Sequence, residues 1–297
     1  MSCLLRADTH LRDKTLELLA KFSRCDQDDC VPFYVAGQAV GSVNAQWQAR
    51  LAEDPIFLRR ADGGMALDPR IEGYEAIGAT LMRRAQHWLD QGWLTGWRGE
   101  NFRVFHPDGG VFFDLERAAF RPLGLSSRAV HVNGLTRQSD GQVYMWVGRR
   151  SPFKAVEPNR LDNMVGGGVA SHEDIQAALF REGWEEAGLS PDSLSCLSEQ
   201  SRLLALRRVA RGIHREWLHV FDLWLPSGVM PENQDGEFDA FLCLPLEHVL
   251  SHILAGRFMA DAALVALDCL ARLGFWGESQ GPIDEALQHL RMGTLSA

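Results

Sequence analysis

Residues 167–189 read GGVASHEDIQAALFREGWEEAGL, and this stretch decides how the rest of the chain is understood. Gly167 is followed after five residues by Glu173, after seven more by Arg181-Glu182, then by Glu185-Glu186 and Gly188-Leu189. If each fixed letter matched at random about one time in fifteen, the pattern would arise in a chain of this length on the order of once in a million sequences. Chance is a poor account of it.

The residue types carry their own physical argument. Between Ser171, placed to act as an N-cap, and Gly188, placed as a C′ glycine, Ile175, Ala178 and Leu179 recur at helical spacing and leave an acidic side free. On that helix Glu182, Glu185 and Glu186 stand at i, i+3 and i+4, so three carboxylates share one face within reach of one ion. Oxygen-rich sites of this kind suit Mg²⁺, with Mn²⁺ as the alternative ion. The local cost is real: like charges at Glu182 and Glu186 repel by roughly 0.2–0.5 kcal/mol, and Gly183 inside a helix costs about 1 kcal/mol relative to alanine. A lone Glu-Glu pair, with Arg181 bonding Glu185 one turn on, would be an ordinary solvated face; the full spacing is not.

Composition sets the frame around this helix. At 297 residues with 46% apolar content and nine tryptophans, the chain is long enough for two domains with real cores. A formal charge of −9 and the lack of a basic, aromatic-interleaved stripe argue against a nucleic-acid polymer or an anionic membrane as partner. No run approaches about eighteen apolar residues, and charges interrupt the opening MSCLLRADTHLRDKTLELLAKF, so a soluble cytoplasmic protein is expected. Cys3, Cys25, Cys30, Cys196, Cys243 and Cys269 are dispersed without a CxxC, which predicts free thiols. His172, His214 and His219 lack transition-metal spacing and read as packing or surface residues. Neither a nucleophile elbow nor a GxxxxGK[ST] loop is present.

Two pattern regimes divide the chain. Residues 1–123 read as an α+β unit: a helix from Thr9 through Leu18, Leu19 and Phe22, a hairpin broken at Gly37, two helices of which the stronger spans 69–90, and strands around the Pro-Asp-Gly-Gly turn at 107–110. From 124 to 276 strands and helices alternate. VHVNGLTR and VYMWVGRR are joined at Ser139-Asp140-Gly141; the acidic helix follows, then strands within LSCLSEQSRLLAL, REWLHVFDLWLP and FDAFLCLP, and an amphipathic helix in ADAALVALDCLARLGF. Residues 277–297 form a tail or a helix.

With these segments in hand, the chain resembles the Nudix hydrolases, and WVGRRSPFKAVEPNRLDNMVGGGVASHE, DGEFDAF and RFMADAALVALDCLARLGF resemble the branch related to thiamine pyrophosphokinase, which joins an uncharacterised N-terminal domain to a Nudix domain. The resemblance implies an α/β fold, an α/β/α sandwich with a mixed sheet, preceded here by the smaller α+β unit. It implies that Glu182, Glu185, Glu186 and the Gly167 carbonyl hold the divalent ion, while Glu173 and Arg181 pair to brace the loop against the helix. Two positions depart from the family's form: Gly183 replaces an aliphatic residue, making room for Trp184 or loosening the helix, and MVGGG lacks the usual proline.

The chemistry implied is cleavage of a small organic diphosphate, with the ion neutralising charge on the leaving phosphate and a carboxylate handling water. Glu186 and Glu237 are the two candidate bases, and Arg149, Arg150 and Lys154 are placed to meet phosphate oxygens. Thiamine diphosphate and its oxidised or damaged analogues are the substrates the kinship implies. A nucleotide-sugar, dinucleotide or coenzyme A diphosphatase, and a noncatalytic ligand sensor, are the competing readings. For the N-terminal unit a lid, a homodimer contact or a separate binding site are the open roles.

Overall fold

The computed structural model describes residues 9–23, 29–106, 108–154 and 157–293; Cys3 and Cys25 fall outside them. Helix α1 (Thr9–Ser23) comes first. The hairpin of β1 (Cys30–Val35) and β2 (Gln38–Asn44) turns at Ala36 and Gly37, whose φ values of 44° and 80° suit a tight two-residue turn. Then follow α2 (Ala45–Ala52), β3 (Phe57–Arg59), β4 (Met65–Leu67), α3 (Tyr74–Asp90), β5 (Asn101–Phe105), β6 (Val111–Glu116) and the short α4 (Phe120–Leu123). Strands order as β2-β1-β4-β3, with β1 and β4 parallel, and β5 and β6 form a separate hairpin. Phe33, Leu81 and Phe113 are buried beside Trp47 and Trp88, whose rings meet edge-on with centroids 5.1 Å apart. These tryptophans are core. The long helix α3 starts at Tyr74 rather than residue 69, because Asp68 instead closes a turn by accepting from the Ile71 N–H.

The second unit runs β7 (Ser126–Arg137), β8 (Val143–Arg150), β9 (Leu161–Asp162), β10 (Val165–Gly168), α5 (Ile175–Ala187), α6 (Pro191–Leu194), β11 (Ser201–Val209), β12 (Gly212–Trp224), β13 (Phe238–Pro245), α7 (Leu246–Leu254), α8 (Ala260–Arg272) and α9 (Gly281–Met292). Its sheet orders β11-β12-β7-β8-β13, with β10 on β7 and β9 on β8. The β12–β7 pair is parallel and the others antiparallel, so the sheet is mixed. Side chains alternate across it: Ala129, Leu135, Leu218 and Val220 face α7, α8 and α9, whereas Val130, Val132, Phe221 and Leu223 face α5 and α6. That is the expected α/β/α sandwich.

Three local expectations are corrected. The segment 194–200 is not strand: Ser190 caps the short α6, and β11 begins only at Ser201. Helix α8 is not amphipathic toward solvent, since Ala262 through Ala271 are buried without interruption. Its Asp268, fully buried, accepts from Arg272 Nε (2.9 Å), Arg291 Nη2 (2.6 Å) and Ser201 Oγ (3.2 Å). Finally, α1 does not pack with the N-terminal sheet that follows it. Leu19 and Phe22 are buried among Leu203, Leu264 and Leu287, so the first helix and the last, α9, complete the core of the second unit.

Candidate active site

Strand β10 pairs with the central strand β7 and brings the glycines beside it, and the chain then leads into α5. Asp174, not Ser171, caps α5, its carboxylate accepting from the Ala177 N–H at 2.8 Å; Ser171 instead donates its N–H to the Asn101 carbonyl. Gly188 ends the helix at φ 65°, and the Gly188 and Leu189 N–H groups return to the Trp184 and Gly183 carbonyls. Gly183 is explained by neither reading of the sequence. Trp184 is 54% exposed, whereas a β-carbon at Gly183 would sit 2.5 Å from Leu194 Cδ1, so the glycine admits α6 against the helix.

The loop between β10 and α5 is braced by one guanidinium. Arg181 donates through Nε and Nη2 to both oxygens of Glu173 (2.6 and 2.9 Å) and through Nη2 to the Gly168 carbonyl (3.1 Å). Its Nη1 reaches Glu182 Oε1 (2.7 Å) and Glu185 Oε2 (3.2 Å). Burial pushes the Glu173 carboxyl up, but Arg181 and the Ala170 N–H hold it below its ordinary value.

Glu182 and Glu186 turn under this brace toward the glycines. The Glu182 carboxyl occupies the space a side chain at Gly167 would need, and Glu186 Oε2 accepts the Gly166 N–H at 2.7 Å. Burial pushes Glu182 up to about 7, with Arg181 opposing. Burial, then repulsion from Glu182, Glu237 and Asp162, drives Glu186 well above the carboxylate range. Glu185 stays partly exposed.

Glu237 reaches the same place from a distant loop. Residues 232–235 close over the C-terminal end of α5: the Glu232 N–H donates to the Ala187 carbonyl, and the Gln234 and Asp235 N–H groups donate to that of Glu185. Asn233 Nδ2 donates to Asp235 Oδ1 (2.8 Å), which also takes the Glu237 N–H (2.8 Å). Thus anchored, Glu237 accepts from Arg150 Nη1 (2.7 Å) and pairs with Lys154 Nζ (2.8 Å). Arg150 also donates to Asp162 (3.2 Å).

Arg149 is not brought to this group. Neighbouring strand residues face opposite sides, so with Arg150 turned toward Glu237, Arg149 points away and pairs bidentately with Asp239 at 2.9 and 3.0 Å. The residues that sequence reasoning missed are Asp162, Asn163 and His131. Burial raises Asp162 to about 6; Asn163 Oδ1 lies 2.9 Å from His131 Nδ1, and Asn163 Nδ2 donates to Asn133. Their one signal was the Asp-Asn pair interrupting the apolar and glycine run LDNMVGGGV.

Tertiary structure also gathers His214, Glu216 and Asp261, whose ligand atoms lie within 4.8 Å of one another, the one such set among the described residues. Sequence spacing gave no hint of it. It does not suit an ion. Arg121 Nε donates to His214 Nδ1 (3.2 Å), so that nitrogen is already taken, and Asp261, 3.2 Å from His214 Nε2, is chelated by Arg207. Although Asp261 is buried, His214 and Arg207 hold its pKa well down.

The box carboxylates fit a hard divalent cation better. They are oxygen donors, Glu182 and Glu186 are buried without enough positive charge to keep both ionised, and the Gly167 cradle leaves Glu182 room. A mixed sheet between helical layers, with carboxylates gathered on a loop and helix at its edge, defines a class: hydrolases acting on diphosphate bonds. Comparison with known proteins makes the class a family. Residues 127–263 match the NUDIX domain, and residues 14–127 match a domain of unknown function, DUF4743. The chain is 31% identical over 308 residues to Nudix hydrolase 20, chloroplastic, of Arabidopsis thaliana, covering 94% of this chain and 79% of that protein. It is equally similar, 31% over 303 residues, to Nudix hydrolase 24, chloroplastic, of the same plant, covering 94% and 78%. Among solved structures, DR0079 of Deinococcus radiodurans is 29% identical with a TM-score of 0.43, covering 57% of this chain and 99% of that one. This chain belongs to the Nudix hydrolases.

Proposed function

We propose that this protein is a Mg²⁺-dependent hydrolase that cleaves a small organic diphosphate to a monophosphate and phosphate. The observation that carries the reading is one group of carboxylates, Glu186 and Asp162 buried and Glu182 and Glu237 half-buried, raised or ion-paired beside β10 and α5. Glu182, Glu185, Glu186 and the Gly167 carbonyl would hold the cation, and Mn²⁺ could replace Mg²⁺. When bound, the cation neutralises charge on the diphosphate oxygens. Arg181 and Glu173 keep the loop and helix in register. Arg150 and Lys154 hold Glu237 beside the ligands, where it would orient the attacking water and take its proton. The same two cations are the chain's means of meeting a terminal phosphate.

For the substrate, we infer a diphosphate of the thiamine diphosphate type, oxidised or damaged forms included; its support is the likeness of residues 146–173 and 235–241 to the thiamine pyrophosphokinase-related branch. No helix among the described residues is long and apolar enough to cross a membrane. A phosphate-release screen with Mg²⁺ tests both levels. Thiamine diphosphate and its oxidised derivatives should turn over faster than dinucleotides, nucleotide sugars or coenzyme A. Glu237→Gln should lower kcat with Mg²⁺ affinity kept, and Glu186→Gln should lower Mg²⁺ affinity. Turnover of dinucleotides alone would discard the substrate class, and Glu186→Gln running at the wild-type rate would discard the metal site.

A further inference from the structure

The strands β8 and β9 have two faces with opposite characters. On one, Arg150 and Asp162 look toward Glu237 and the box carboxylates. On the other, Arg149 and Leu161 line a cavity of about 450 Å³ together with Arg160, Leu242, His252 and Arg257. No box carboxylate lines it. Three arginines therefore line one hollow in a chain of formal charge −9.

The backbone forces this crowding. The Leu161 N–H donates to the Arg257 carbonyl (2.9 Å), the Met259 N–H donates to the Leu161 carbonyl (2.7 Å), and Leu161 and Phe258 form a parallel bridge. Arg160 and Arg257 are thus held on neighbouring rungs, an arrangement of like charges that costs stability unless an anion lies between them. Asp239 answers Arg149, but among the described residues neither Arg160 nor Arg257 forms an ion pair. Arg257 Nη1 lies 3.3 Å from His252 Nδ1, and burial, with help from Arg257 and His248, pushes that imidazole's pKa down, so the ring is poised to be a neutral member of the wall. Leu161 and Leu242 supply an apolar floor.

We propose that this cavity is a second ligand site, distinct from the diphosphate site, that takes a phosphate dianion between Arg160 and Arg257. The dianion is either free phosphate or the head of a phosphate monoester whose organic part lies on Leu161 and Leu242. Calorimetric titration of the full chain in EDTA at low ionic strength, with inorganic phosphate and with phenyl phosphate, tests it. Saturable one-to-one binding is expected to persist in Glu186→Gln and to weaken at least tenfold in Arg160→Ala/Arg257→Ala. Arg257→Gln, a single change on an exposed loop, serves if the double variant fails to fold, and should also weaken binding several-fold. Tighter binding of phenyl phosphate assigns a monoester; equal binding assigns free phosphate. The absence of saturable binding, binding that survives loss of the arginines, or binding lost in Glu186→Gln would each overturn the proposal.

Discussion

The Glu182 carboxyl lies where a side chain at Gly167 would have to be, so the first glycine of the loop and the first carboxylate of the helix are two halves of one packing unit. Glu186, one turn on, meets the neighbouring residue of the same strand by accepting the Gly166 N–H. The glycine at 167 is required by space, since its φ is not in the left-handed region.

Gly167→Ala should therefore act on the site and spare the fold. The added methyl evicts the Glu182 carboxylate, and Mg²⁺ affinity should fall about 10–100-fold, as when a metal ligand loses its orientation. Equilibrium titration of Mg²⁺, alongside a circular dichroism spectrum, checks it; unchanged affinity would show that Glu182 does not need its cradle.

Acidity offers a second test with a definite sign. Glu182 at about 7 and Asp162 at about 6 lie above their ordinary values of 4.5 and 3.8. The folded chain therefore binds these protons more tightly than the unfolded one. Their contribution is fully present below the unfolded values and is lost as pH rises through about 6–7. In EDTA, Tm should fall from pH 5 to pH 8. Mg²⁺ should stabilise more at pH 8 than at pH 5, and Glu182→Gln/Glu186→Gln should flatten the EDTA profile. Parallel profiles for that variant and wild type would remove these groups as the cause.

At Gly183 helix propensity and packing make opposite predictions. Propensity alone says that alanine stabilises by about 1 kcal/mol. The 2.5 Å approach to Leu194 says that it destabilises, by about 1–3 kcal/mol, as overpacking does. In a double-mutant cycle by denaturant unfolding, Leu194→Ala should cancel most of the Gly183→Ala cost, and additive effects would refute the packing account.

Helix α1 carries a prediction about where the hydrolase unit ends. Leu19 and Phe22 are buried with the sheet that begins at Ser126, so removing residues through 22 should destabilise that sheet by about 3–6 kcal/mol. Leu19→Ala in the full chain should cost about 2–5 kcal/mol in the same denaturant transition. If a chain starting near residue 124 unfolds at the wild-type midpoint, the helix is dispensable to the core.

How much of this was legible beforehand follows from the range of each interaction. The box helix and its Gly188 stop are encoded within a few residues, by apolar spacing and by a glycine at the one left-handed position, so the sequence by itself determined them, together with the family. It also put Glu182, Glu185 and Glu186 on one face, because the helical repeat leaves no choice. Ser171 and Asp174 are both good caps in sequence; the helix begins at Ile175, which puts Asp174 and not Ser171 within reach of the Ala177 N–H, while the Ser171 N–H is bonded to the Asn101 carbonyl. Gly183 was opaque because its reason, Leu194, lies on another element.

The tertiary structure alone decided what surrounds the glutamates. Asp162 and His131 join them through strand pairing, and Glu237 joins through a loop closed over the α5 carbonyls. Arg149 and Arg150 are chemically alike in sequence, yet the pleat sends one to Glu237 and the other to the opposite face. Local spacing fixes which groups a helix presents. Which charges meet across 50 or more residues depends on register and burial, and those exist only once the sheet has formed.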